Sequence, residues 1–472
     1  LVKGINYMPV VDRDFVIKRG QWVDKIKPLE KIGLGLSDNI IRQISGFKQE
    51  PDWMLKRRLQ AFRIFKQKKY PQWGPDLSKL NFNKICYYSR INYSSQSTWA
   101  NIPSPVKKTF ERLGVPKLEA AVLAGSGLQY DSEIVYQALQ ADLKKIGVIF
   151  LSMEQGLRQY PKLVKKYFGQ VVPARDNKLA ALNSAVWSGG SFIYVPPGLK
   201  VSKPLQAYFR LNARNLGQFE RTLIIADKNS ELEYIEGCTA PYFNVDSLHA
   251  AVVEIVVEAG AKVRYTTVQN WSTSVYNLVT KRALVKRNAY MEWLDGNFGS
   301  RVTMKYPSII LSQPGAKGKI VSLAVAGKGQ VIETGAKAIH LAPLTSSQII
   351  SKSIALAKGR TNYRGLLKIT PAANNSRSSV CCDALLLSPQ ARSDSYPKVD
   401  VKNQKVHLEH EASVARLSQE QLIYLQSRGF SKSEAVNLIV NGFVAPVRQA
   451  LPAEFAIELE KLLDLEMEEA VG

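Results

Sequence analysis

The stretch Ala250–Asn270, AAVVEIVVEAGAKVRYTTVQN, decides the fold. It consists of two runs rich in valine, isoleucine and threonine, joined by a small turn at Gly260-Ala261, and that composition reads as strand, turn, strand. The same unit precedes it in Arg221–Gly237 (RTLIIADKNSELEYIEG). It follows twice more, in Arg282–Gly296 (RALVKRNAYMEWLDG) and Ser308–Gly327 (SIILSQPGAKGKIVSLAVAG). The turns Asn229-Ser230, Gly260-Ala261, Asn288-Ala289 and Gly315-Ala316 recur about every 27–31 residues. A repeat of this length built from strands alone predicts stacked coils, each burying its inward side chains against the next. A right-handed parallel β-helix fits this pattern. A large β-sandwich has similar turns, and the pattern alone leaves it open.

Working outward, the expected fold class is mainly β: a β-helix core over residues 146–410 between two helical domains. Residues 1–145 form the N-terminal one. Ser37 or Asp38 caps a first helix, and Pro51 opens a second, with Met54, Leu55, Leu59, Phe62 and Phe65 at helical spacing. YDSEIVYQALQADLKKIG, residues 130–147, reads as an amphipathic helix stopped by Gly147. Residues 411–472 predict three helices. Ser418 with Gln421 forms a capping box before a stop at Gly429, and Ser431 with Glu434 repeats the device before Gly442. The last helix starts at Pro452 and is acidic.

Composition narrows the classes. No apolar run is long enough to span a bilayer, and the first residues lack a signal-peptide pattern. Four scattered cysteines (Cys86, Cys238, Cys381, Cys382) do not make a disulfide framework, so a reducing cytoplasm is expected. The net charge of +24 raises a nucleic-acid reading. Its best support is the basic, aromatic-interleaved run at residues 56–73, KRRLQAFRIFKQKKYPQW. That run reads more simply as a solvated helix face, because no nucleic-acid-binding signature accompanies it. There is no P-loop, no C-x-x-C and no G-x-S-x-G, which argues against a self-contained enzyme. Paired inward carboxylates of a carbohydrate-active β-helix are not apparent.

Some residues could carry chemistry. His407 and His410 alternate with Glu409 and Glu411 in KVHLEHEAS, a dense group of potential ligands that reads equally as a charged loop. In SSVCCDALLL, Cys382 shares a strand face with Val380, Ala384 and Leu386, so Cys381 faces the other way. Cys238, between Gly237 and Thr239 and before Pro241, reads as an accessible turn cysteine.

Long ordered blocks resemble SufB, in the SufB/SufD family of the SUF iron–sulfur assembly system. They include LNSAVWSGGSFIYVPPGLK, YIEGCTAP, VYNLVTKRALV, CDALLL, LEHEAS and ELEKLLDLEMEEAVG, and the likeness runs from about residue 33 to the end. It implies a β-helix scaffold on which persulfide sulfur and iron form a transient iron–sulfur cluster that passes to apo-proteins. It also implies partners. These are the SufD paralogue or a second SufB, the SufC ATPase docked on residues 411–472 and supplying the ATP site, and a cysteine desulfurase with its sulfur carrier. Participation of a reduced flavin is left open. Carried over residue by residue, Cys382, His410 and Glu411 are the expected cluster ligands and Cys238 the sulfur acceptor. Arg210, Asn212, Gln269, Trp271 and Lys281 are expected to line a sulfur path inside the helix. Cys381 has no counterpart in the resemblance.

Overall fold

The computed structural model describes residues 23–24, 26–91, 95–112, 123–451, 456, 459–464 and 467. Two long sheets face each other as a β-solenoid of about 8 turns. One sheet stacks Leu205–Arg210, Glu231–Thr239, Lys262–Trp271, Tyr290–Gly299, Lys317–Ala326, Ser346–Ala355, Ser376–Leu386 and Val406–Arg416. Every one of these neighbours pairs in parallel, as Tyr234 does with Leu205 on one side and Tyr265 on the other. Parallel strands need a crossover rather than a hairpin, so each quoted strand–turn–strand unit is a corner of a coil and the sandwich is excluded.

The corners stack as the sequence suggests. Asn229, Gly260, Asn288 and Gly315 all take positive φ. Asn and Gly tolerate this left-handed conformation best. At Gly260 and Gly315 a side chain is also excluded by space, since a Cβ would lie 2.0 Å from the Oδ1 of Asn229 or Asn288 on the preceding coil.

Within the coils, alternate side chains point inward and form ladders. Ile224, Ile255, Ala283, Ile309, Ala338 and Leu367 make an aliphatic one. The rings of Tyr234, Tyr265 and Trp293 follow each other at 4.9 and 5.0 Å. Such stacking of like residues holds each coil to the next by apolar burial.

The flanks differ from expectation in three places. Residues 130–147 contain the strand Glu133–Leu139 and only a short helix, Ala141–Lys145. Glu133–Leu139 pairs antiparallel with Gly125–Tyr130, which in turn extends the solenoid sheet. The N-terminal segment is therefore mixed, and Ile134, Val135 and Tyr136 bury better on a sheet edge than on a helix. Helices Met153–Gln159, Pro161–Tyr167 and Lys178–Val186 also lie inside the expected β core range. Thirdly, the helix expected to stop at Gly442 runs Lys432–Ala450, because Val440, Val444 and Val447 continue its buried face against the outer side of the solenoid. Pro452 lies outside the described residues; residues 456 and 459–464 are helical. The Ser37 cap is formed, its side chain accepting from the Ile40 N–H.

The basic run is partly structural. Arg58 is buried, donating to Glu50 at 2.5 and 2.7 Å and to the carbonyls of Ala185 and Trp187. It clamps helix Asp52–Gln67 onto helix Lys178–Val186 at the closed end of the solenoid.

Candidate functional site

Cys238 lies within a strand and is 1% exposed, not in an accessible turn. The neighbouring glycine serves packing: a Cβ at Gly237 would meet the Tyr208 ring at 2.6 Å. On the inward face, two positions before Cys238, stands Glu236, and the thiol donates to its Oε1 at 3.7 Å. Tyr265 OH donates to the other oxygen of Glu236. Glu220, Glu236 and Cys238 have ligand atoms within 4.8 Å of one another.

This centre continues into a fully buried polar network. His249 bonds Glu220 Oε1 at 3.0 Å and Asn277 Oδ1 at 2.8 Å, and its ring packs tilted against Trp271, with centroids 4.6 Å apart. Gln269 Oε1 accepts from Asn277 at 2.8 Å and from Lys305 at 3.2 Å. Lys281 donates to Thr267 at 2.6 Å and to Asp295 at 2.9 Å, and Lys305 reaches Asp295 at 3.1 Å. Burial opposes every charge here, and pairing decides the outcome. Asp295 would be raised by burial, yet the two lysines hold it at about 2. Burial, with Lys281 adding to it, brings Lys305 down to about 8 although Asp295 opposes. Burial lowers the His249 tendency to protonate, but Glu220 outweighs it and raises its pKa. Cys238 is raised well above a normal thiol, by burial first and then by Glu236 and Glu220.

Gln269, Trp271 and Lys281 thus join Cys238 inside the helix. Arg210 and Asn212 do not, which corrects their expected place. Phe209 and Leu211 take the inward positions of that segment, so strand alternation turns Arg210 and Asn212 outward. Arg210 bonds Thr239 Oγ1 at 3.2 Å; Asn212 bonds the backbone of Asp24, and its own N–H donates to Asp131.

Cys382 is also inward and 5% exposed. Burial raises its pKa to about 12, against a hydrogen bond from Tyr363 that lowers it. The register links it to the first centre: Glu236, Thr267, Asp295, Ser322, Ser351 and Cys382 occupy one row on successive coils. Ser322 bonds Ser351 at 3.3 Å. At the strand spacing of 4.7–4.9 Å, five steps span about 24 Å. His410 is inward beside Val380, on the last coil, in a cleft with Ile349, Tyr363 and Val399. Its Nε2 is buried without a hydrogen-bond partner among the described residues.

Glu411 faces the opposite way. It pairs in register with Cys381, on the outer face that also carries Asp383, where Cys381 donates to Asp383 at 3.4 Å and Lys352 and Ser413 each bond the carboxylate at 2.5 Å. Within one chain the expected trio is therefore split, with Cys382 and His410 inside and Glu411 outside. The residues missed by sequence reading are Glu220, Glu236, His249, Asp295 and Lys305. The signal for Glu236 was present, two residues from Cys238 on the same strand face.

The comparisons with known proteins agree with this architecture. Residues 209–443 match the family model "SUF system FeS cluster assembly, SufBD core domain", and residues 43–207 match "SufBD protein N-terminal region". The chain belongs to the SufBD family. A SufBD family iron–sulfur cluster assembly protein of Staphylococcus haemolyticus is 52% identical over 438 residues, covering 93% of this chain and 94% of that one. A Staphylococcus aureus relative of the same description has the same identity and coverage. No helix among the described residues is long and apolar enough to cross a membrane.

Proposed function

We propose that this SufBD family chain is a SufB-type scaffold, which accepts sulfane sulfur at Cys238 and builds a nascent iron–sulfur cluster at the Cys382 end. The observation that carries this reading is the inward polar row between the two thiols. Sulfur transfer between the thiols calls for buried side chains that offer hydrogen bonds, and the row of Thr267, Asp295, Ser322 and Ser351 supplies them. Cys382 supplies a soft thiolate for iron and His410 an imidazole, a donor set that suits a labile iron site. Glu411, on the outer face, would reach the same cluster only at a shared interface.

The open end of the solenoid favours such an interface. Among the described residues, strands Arg392–Val401 and Val406–Arg416 each pair on one side only. Val399, Val401 and Val414, which continue inward rows, are 45%, 37% and 53% exposed there. Unpaired edges with exposed apolar groups invite another sheet, so a SufD chain or a second copy stacks here in this reading. SufC, which would bring the ATP site, docks on the C-terminal helices, where Ile423 and Tyr424 are 65% and 59% exposed. A desulfurase with its carrier delivers the sulfur, apo-proteins receive the cluster, and the setting is cytoplasmic. Electrons from a reduced flavin are compatible with it.

The test is anaerobic reconstitution with iron and sulfide, with partner ATPase and paralogue present. Wild type should gain a visible chromophore with bound iron and sulfide, and Cys382→Ser should hold markedly less. Equal loading of the two would remove Cys382 as a ligand; loading of neither would remove the scaffold reading.

A further inference from the structure

We infer that Glu236 is the proton acceptor for Cys238, taking the thiol proton as sulfur is received. This rests on the reading of Cys238 as sulfur acceptor. The geometry is direct, since the thiol already donates to Glu236 Oε1 at 3.7 Å, and both groups are fully buried. The other nearby carboxylate, Glu220, holds His249 through Oε1, and the thiol's hydrogen bond goes to Glu236 rather than to it.

Charge accounting gives the physical reason. With His249 protonated, as Glu220 favours, the cations His249, Lys281 and Lys305 balance the carboxylates Glu220, Glu236 and Asp295. The surrounding Tyr234 and Tyr265 are neutral, both raised well above normal by burial. A bare thiolate at Cys238 would add an uncompensated charge in a fully buried space, which is strongly disfavoured. Moving the proton to Glu236 leaves the net charge unchanged. Burial and Glu220 raise Glu236 above the usual carboxylate range, with Lys281, Tyr265 and His249 pulling back, so it is a better base than an ordinary carboxylate.

The step balances without an oxidant or reductant. The Cys238 proton passes to Glu236, and Sγ attacks the outer sulfur of a persulfide donor. The donor S–S bond breaks as the new S–S bond forms on Cys238. The donor leaves as a thiolate with the electron pair of the broken bond and recovers a proton from Glu236.

The experiment uses the full chain with inorganic polysulfide as probe, and follows persulfide on the Cys238 peptide by alkylation and mass spectrometry from about pH 5 to pH 9. Wild type, Glu236→Gln, Tyr265→Phe and the control Glu231→Gln are compared. Loss of the acceptor should slow labelling about 10²-fold. The wild-type rate should rise with ionisation of a carboxylate, whereas Glu236→Gln should rise only where the thiol itself titrates. Tyr265→Phe removes a donor to Glu236 and should shift the acidic limb to higher pH, a readout that survives if Glu236→Gln folds poorly. Equal rates and pH profiles in wild type and Glu236→Gln, or an unmoved limb in Tyr265→Phe, overturn this role while Cys238 remains an acceptor. No label on wild-type Cys238 overturns both readings.

Discussion

Lys281 Nζ donates to Asp295 Oδ1 at 2.9 Å inside the β-helix, with both side chains 1% exposed. Lys305 reaches the same oxygen, so one carboxylate compensates two buried ammonium groups. Breaking such a set leaves charges without water or partner. Asp295→Ala should lower stability by about 3–5 kcal/mol in urea denaturation, while Asp295→Ala with both lysines changed to Met should recover much of it. In the folded protein Asp295 titrates at about 2, below the ordinary aspartate value of 3.8. The stability it contributes is present above the unfolded value and is lost as pH falls through the folded one. Wild type should therefore lose stability toward pH 2 more steeply than this triple variant.

Thiol reactivity should separate the four cysteines. Cys86 is buried, its sulfur donating to the carbonyls of Ile32 and Tyr88, and burial raises its pKa. Cys238 and Cys382 are buried and raised; Cys381 is also raised, by burial and then Asp383, but it is only half-buried on the outer face. Thiolate character and exposure govern alkylation. Cys381 should react first with iodoacetamide in the native protein, and all four should react in denaturant. Alkylation of Cys238 or Cys382 ahead of Cys381 in native protein would contradict their burial.

The repeat of strand–turn–strand units was legible because Asn229, Gly260, Asn288 and Gly315 mark corners that demand positive φ. Their sheet partners were not, since period-two alternation is the same in a hairpin and a coil. The Tyr130–Gly147 segment was misread because its apolar spacing suits a helix locally, while the open edge of Gly125–Tyr130 offers Glu133–Leu139 hydrogen bonds that a helix cannot see. Gly237 and Pro241 made Cys238 look like a turn residue; the glycine is there for the Tyr208 ring. The alternation Val380–Cys382 correctly turned one cysteine inward. Charges such as Glu220, His249 and Lys305 escaped notice because residues far apart in sequence meet only when coils stack.

The corner glycines give a stability test. At Gly260 the backbone has φ +72°, and an added Cβ would lie 2.0 Å from Asn229 Oδ1. Gly260→Ala therefore faces both left-handed strain and a clash, and should cost about 1–3 kcal/mol in thermal or urea denaturation. Asn229→Gly combined with it removes the clash but not the strain, and should recover part of the loss. Gly329, where an added Cβ would meet nothing within 4 Å at φ +76°, isolates the strain alone. Gly329→Ala should cost less than Gly260→Ala.

The open end of the solenoid makes the last prediction. Val399 continues the inward row of Leu367, and Val414 that of Ala384, yet no further coil covers them among the described residues. In a folded chain these valines face water at the mouth of an apolar interior, a cost that another solenoid would relieve. Val399→Lys with Val414→Lys adds two charges at that end. Far-UV circular dichroism should be unchanged, while association with a second SufBD chain should weaken at least about tenfold in sedimentation analysis, since charge at an edge opposes sheet addition. Unchanged association would place the contact elsewhere on the chain and would separate Glu411 from any site shared across that end.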